Sequence, residues 1–291
     1  MALRITVDIF SGRPNPVIEV QGPEADEILG RLRPSRKLAG RGASEPDLIL
    51  GYRGLLIEQI GAVSAGLPRS FRYLHGNLFG SRFSRRAEDE HFEDFISGDA
   101  GLLRGLSLGP GFPEMFRKEV ARSKKERAED KDKERHKRRH HHHCECGPLY
   151  EPAWWNVPQR QPFNNCYNYA TNYRTDTFAQ PGLAAGSMYT ALNCASVGPA
   201  AVKDDLISTP GANNKCPKEG HLVALVIWPG VDFHWFRKGR NGFWSHKPGG
   251  TPVRNVDNSN HLIPDPRTAN RSPYTTFCTF MVVMHGHIKI R

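Results

Sequence analysis

The sequence predicts an α+β protein in two domains joined by a charged linker, and three observations carry that expectation. Alternating strand-like segments around a Gly/Pro turn open the chain within its first 110 residues. An almost purely charged stretch follows. Beyond it, a cysteine at a helix start precedes several apolar strand runs. At 291 residues, with 38% hydrophobic and 10% aromatic side chains, the chain is long enough to build two real cores.

Residues 1–110 read as a small α+β docking or substrate-positioning domain. Ile5 to Phe10 and Val17 to Val20 alternate as strands, and the Gly and two Pro residues of Ser11 to Pro16 force the turn between them. Pro23 to Leu32 is a short helix, with Pro at its start, acids in its first turn and arginines at its end. Leu55 to Ile60 and Phe71 to Leu78 are further strands, and Arg86 to Ile96 is an acidic helix. This region holds no grouped nucleophile, base and orienter, and no phosphate loop, so its expected partner is a protein and no cofactor is implied.

Residues 111–146 form the linker. After Val120 the only apolar residue up to His143 is alanine, so this stretch has no face to bury and reads as a solvated helix or disordered tether. Residues 118–139 hold eleven basic and six acidic side chains, or +5, half the net charge of +10. The basic excess is therefore local and lacks interleaved aromatics, which argues against a nucleic-acid surface. Its end, Arg135 to Arg139, is suited to acidic polymers. The run His140, His141, His142, His143 followed by Cys144 and Cys146 carries metal-ligand types, but its Cys-x-Cys spacing lacks the paired geometry of structural zinc.

Residues 147–291 form the second domain. Asn164 and Asn165 are good N-caps for a helix running from Cys166 to Arg174, which places the thiol in the first turn, where the dipole favours thiolate. Ser187 to Ala195 is a second, weaker helix. Gly220 to Trp228 is a continuous apolar run, Val231 to Lys238 and Gly242 to Lys247 are a strand pair, and Phe277 to Met284 is a last buried strand. If the loop between the paired strands is centred on Arg240, His234 lies opposite His246 on one sheet face, about 5 Å away. A two-residue turn at Asn241-Gly242 would instead send the two rings to opposite faces. Residues 249–273, rich in Pro, Asn, Asp and Arg, read as an ordered loop over the sheet.

These pieces resemble the papain-like superfamily, above all its NlpC-type cell-wall cysteine peptidases. The shared pattern is Asn165-Cys166 at a helix start, Gly220-His221-Leu222-Val223, His234 at the next strand, and His246 twelve residues later. The resemblance covers about residues 160–250, with Asn165 in place of the usual acid and His221 where Asp is typical. It implies a cysteine hydrolase acting on a peptide or amide bond. Cys166 would be the nucleophile, His234 the base, and His246 the orienter, with Asp257 or Asn258 as alternatives. Gln161 and the Cys166 N–H would hold the oxyanion. Two other readings stand beside it: a non-enzymatic interaction protein on an inactive papain-like scaffold, and a metal-binding protein using the His/Cys cluster.

No stretch approaches the ~20 apolar residues that span a bilayer. The first residues lack the apolar core of a cleaved secretory signal, so the expectation is a cytoplasmic protein, with export by a route that needs no cleaved signal as the alternative, and six cysteines mostly reduced.

Overall fold

The computed structural model describes residues 1–35, 46–80, 83–98, 101–129, 144–209 and 213–291. His140, His141, His142 and His143 lie outside the described residues. The chain is α+β, with two antiparallel sheets and, among the described residues, six helices. It divides into two units, Met1–Ile9 with Asn15–Glu129, and Phe10–Pro14 with Asp130–Arg291.

The first unit is a six-stranded sheet with three helices. Strands β1 (Ala2–Asp8) and β2 (Val17–Gln21) form the expected antiparallel pair, followed by helix α1 (Pro23–Arg31). Alternation in β1 puts Leu3, Ile5 and Val7 on the buried face. After β3 (Gly54–Ile60), the single strand expected over Phe71 to Leu78 is two, β4 (Ser70–Leu74) and β5 (Asn77–Gly80). His75 and Gly76 both take positive φ, 47° and 79°, which closes a two-residue hairpin between Leu74 and Asn77. The acidic helix expected over Arg86 to Ile96 starts later, since Arg86 ends strand β6 (Phe83–Arg86) and helix α2 runs over Phe92–Ser97. The sheet order is β2-β1-β3-β4-β5-β6.

Helix α3 (Phe112–Glu129) begins the stretch read as a linker, yet it has a packed face. Phe112, Phe116, Glu119 and Ser123 are buried at i, i+4, i+7 and i+11, one stripe of a helix, and the Phe116 ring meets Tyr52 edge-on at 5.2 Å. Two phenylalanines and small or paired polar groups thus make up this buried stripe. In the interior of this unit Asp8 pairs with Arg53 at 2.7 Å and Arg72 at 2.8 Å. Burial raises the Asp8 pKa, but the two guanidiniums outweigh it and hold the carboxyl below its usual range.

In the second unit a short helix α4 (Pro152–Trp155) and a 3-10 turn at Gln161–Phe163 lead into α5 (Cys166–Thr171). Asn165 caps α5 by accepting from the N–H groups of Tyr167 and Asn168 at 3.0 and 3.1 Å, and the Asn168 side chain returns a bond to the Asn165 N–H. The helix stops three residues before the expected Arg174 because Asn172 turns left-handed, at φ 57° and ψ 34°. The second helix, α6 (Cys194–Lys203), starts later than expected, since Asn193 and not Ser187 supplies its cap.

Strands β7 (Ile207–Ser208), β8 (His221–Trp228), β9 (Asp232–Lys238), β10 (Trp244–His246) and β11 (Thr276–Val283) make a sheet in the order β10-β9-β8-β11-β7. Nothing in its two-residue sequence marked β7, which exists through pairing with Val282 and Met281. The β9–β10 register pairs His246 with Phe236, so the connection is centred on Asn241 and not on Arg240. That shift is two residues along β9, which preserves parity and keeps His234 and His246 on one face.

The cysteines depart from the reduced state expected for them. Cys144 is joined to Cys216 and Cys194 to Cys278, closing separations of 72 and 84 residues, while Cys146 is free and exposed and Cys166 free and buried.

Candidate functional site

The expected site residues gather around β9, where strand alternation decides what can meet. Phe233 and Trp235 point into the hydrophobic core that also contains Cys166, Tyr167 and Ala170. His234 and Phe236 point the other way, toward His246 and Tyr274. The thiol and the imidazole expected to act on it are thus separated by the strand itself. Cys166 Sγ faces the Phe233 carbonyl oxygen at 4.0 Å.

Burial and the nearby Asp232 push the Cys166 thiol well above its usual range, so it is held as S–H. The helix dipole is a fraction of a unit charge from a six-residue helix and does not offset full desolvation. The Cys166 N–H, one expected oxyanion donor, contacts the Ser11 carbonyl at 3.5 Å, and Gln161 Nε2 donates to the Gly250 carbonyl at 3.4 Å.

The segment Phe10–Pro14, expected only as part of a turn, lies against these residues within the second unit. Its Ser11, Gly12 and Arg13 N–H groups donate to the Asp232 carboxylate at 2.6, 3.2 and 3.1 Å, and Tyr274 Oη adds a fourth bond at 2.6 Å. Burial raises the Asp232 carboxyl's pKa, while these four donors favour the charged form. The Gly12 carbonyl accepts from Asn165 Nδ2 at 2.7 Å and Gln180 Nε2 at 2.9 Å. A Cβ on Gly12 would stand 2.5 Å from the Phe233 ring, so glycine is required for this approach. The sequence did not mark Asp232 because three of its four donors are more than 200 residues away and the fourth, Tyr274, is 42 residues away.

The two histidines do meet. His246 Nε2 lies 3.0 Å from the Val256 carbonyl, an acceptor only, so that nitrogen carries hydrogen and Nδ1 is left to accept from His234 Nε2 at 2.9 Å. Both rings are sealed, at 0% and 1% exposure. Chemically, this chain of bonds anchors the 249–273 loop to the sheet. Asp257 holds the same loop from within, accepting from the N–H groups of Ser259, His261 and Asn270, and Asn258 Nδ2 donates to the Ser272 carbonyl at 2.7 Å. Of the expected metal ligands, Cys144 is in a disulfide and Cys146 donates to the Lys218 carbonyl at 3.2 Å. Among the described residues no group of three or more His, Cys, Asp or Glu is placed to hold a metal ion. Nor is any described helix long and apolar enough to cross a membrane.

Comparison with known proteins finds a relative in the insoluble matrix shell protein 1 of Ruditapes philippinarum, 46% identical over 140 residues, covering 47% of this chain and 91% of that protein. No protein-family model matches. No solved structure matches. The relative overturns the expectation of a cysteine hydrolase, and together with the two disulfides it overturns that of a cytoplasmic, reduced protein. At this identity and coverage, the chain belongs to the family of insoluble matrix shell protein 1.

Proposed function

We infer that this chain is a non-enzymatic structural protein of an insoluble extracellular matrix of the shell type. The observation that carries the reading is the 46% identity across nine-tenths of a shell matrix protein, 91% of its length. The geometry of the second unit supports it. The Cys166 thiol is buried, protonated and on the opposite strand face from the histidine pair. Buried polar groups that would serve a reaction instead spend their bonds on the backbone of the 10–14 and 249–273 segments. Two disulfides closing long loops suit an oxidising compartment. On this reading the papain-like outline is a scaffold without its chemistry, a cysteine helix packed on an antiparallel sheet. The net charge of +10 adds long-range attraction for acidic matrix components.

The test is sedimentation of the purified full chain with matrix left insoluble after demineralisation. The chain is expected in the pellet, and to remain there in part after a 1 M salt wash, since exposed ion pairs are screened at that ionic strength while packed contacts are not. A chain that stays in the supernatant, or that hydrolyses amide substrates in a Cys166-dependent way, would overturn the reading.

A further inference from the structure

Three of the six cysteines lie around one cleft at the start of β8. Cys144, Cys146 and Cys216 line it together with His221. Cys144 and Cys216 are bonded to each other, with Cys144 buried and Cys216 half-exposed. Cys146 is a free, exposed thiol. It also lines a neighbouring open cleft of about 520 Å³ with His285 and His287, so another chain has access to its sulfur.

His221 marks the closed end of the arrangement. Its Nε2 lies 2.7 Å from the Ala170 carbonyl, which only accepts, so Nε2 carries hydrogen and Nδ1 presents a lone pair. The side chain is 1% exposed, and Nδ1 has no hydrogen-bond partner. A buried acceptor without a donor has lost its water without compensation. His221 lines the same cleft as Cys144.

We propose that Cys146 and the adjacent Cys144–Cys216 disulfide form a thiol–disulfide exchange site that links one copy of this chain covalently to a second. The proposal rests on the matrix reading, in which stable association between copies is the function. Cys146 of one copy loses its proton, and its thiolate attacks Sγ of Cys216 in the other, the more exposed residue of the pair. An intermolecular Cys146–Cys216 bond forms, and the Cys144–Cys216 bond of the second copy breaks. Cys144 leaves as thiolate and takes up a proton. One disulfide and one thiol enter and one of each remain, so no oxidant is consumed. The second copy keeps its own Cys146, so it can attack a third. Cys166 takes no part, since it is sealed in the core.

A mixture of ¹⁴N- and ¹⁵N-labelled full chain, both disulfides intact, is incubated under argon at pH 8.5 and quenched with N-ethylmaleimide. Expected are dimers and higher species on non-reducing gels, mixed-isotope Cys146–Cys216 peptides, and a free-thiol count that stays at two per chain. Cys146→Ser, at an exposed position, should slow ladder formation at least tenfold. The proposal is overturned by a chain that stays monomeric, by a ladder unchanged in Cys146→Ser, by Cys146–Cys216 links confined to one isotope, or by Cys146–Cys146 dimers with thiol loss. A monomeric chain that still sediments with matrix would remove this proposal alone. Exchange by a chain that does not sediment would leave it standing and remove the matrix reading.

Discussion

Replacing Cys194 and Cys278 together by serine removes the bond that ties the start of α6 to β11. The loop it closes spans 84 residues, and in the chain-entropy treatment its removal frees the unfolded state by about 4.5 kcal/mol. Both half-cystines pack against the hydrophobic core that holds Phe233 and Trp235, so the serines also lose some apolar contact there. At about 2–4 °C per kcal/mol for a unit of this size, the melting temperature of the second unit should fall by about 9–18 °C. The loop closed by Cys144–Cys216 overlaps this one over residues 194–216, so removing both bonds should cost less than the sum of the two. Calorimetry on the wild type and the double variant, with thiol titration to verify the bonds, measures the difference. A shift below about 2 °C would refute the reasoning, because the crosslink would then constrain nothing that the unfolded chain is free to explore.

Cys166 should be inert to iodoacetamide at pH 8 in the folded chain, reacting at least 100-fold more slowly than Cys146. His234→Ala should leave that ratio unchanged, and a fast, His234-dependent Cys166 would contradict the opposed-face geometry. Asp204 accepts from Tyr167 Oη at 2.9 Å and the Gly182 N–H at 2.7 Å, and burial raises its pKa to about 6. Its folded pKa lies above the unfolded value of about 3.9, so the stability it contributes is present below pH 4 and lost as pH rises through about 6. Urea titrations should show the wild type losing about 1–3 kcal/mol relative to Asp204→Asn between pH 4 and 7, and parallel curves would exclude this linkage. His221 runs the opposite way: burial lowers its pKa to about 3, so its contribution is present above the unfolded value of about 6.5 and is lost as pH falls through about 3. His221→Gln, which keeps a donor for the Ala170 carbonyl, should shift acid unfolding to lower pH, and an unchanged acid midpoint would count against it.

The sequence made the local devices legible. The β1–β2 pair, the Pro-started α1, the Asn165 cap and the buried β8 run each depend on residues within 19 positions of one another, and each appears in the structure. The two histidines also share a face, because parity survives a two-residue error in register. What stayed hidden is long-range. Whether Cys166 faces His234 depends on which side of β9 the α5 helix packs, and no local pattern encodes that choice. The disulfides join cysteines 72 and 84 residues apart, and no local pattern around either half-cystine marks its partner. The Asp232 cradle joins residues 219–221 positions apart. A helix with only two phenylalanines on its buried stripe, α3, reads as solvated when apolar residues are counted without their spacing.

The central claim is best tested on the chain in its native setting. Antibodies to the second unit, applied to tissue and to demineralised extracellular matrix of the source organism, should label the matrix. Mass spectrometry of that insoluble fraction, alkylated before reduction, should recover the Cys194–Cys278 peptide in its oxidised form. Label confined to the cytosol, with Cys194 and Cys278 recovered as alkylated thiols, would contradict the account.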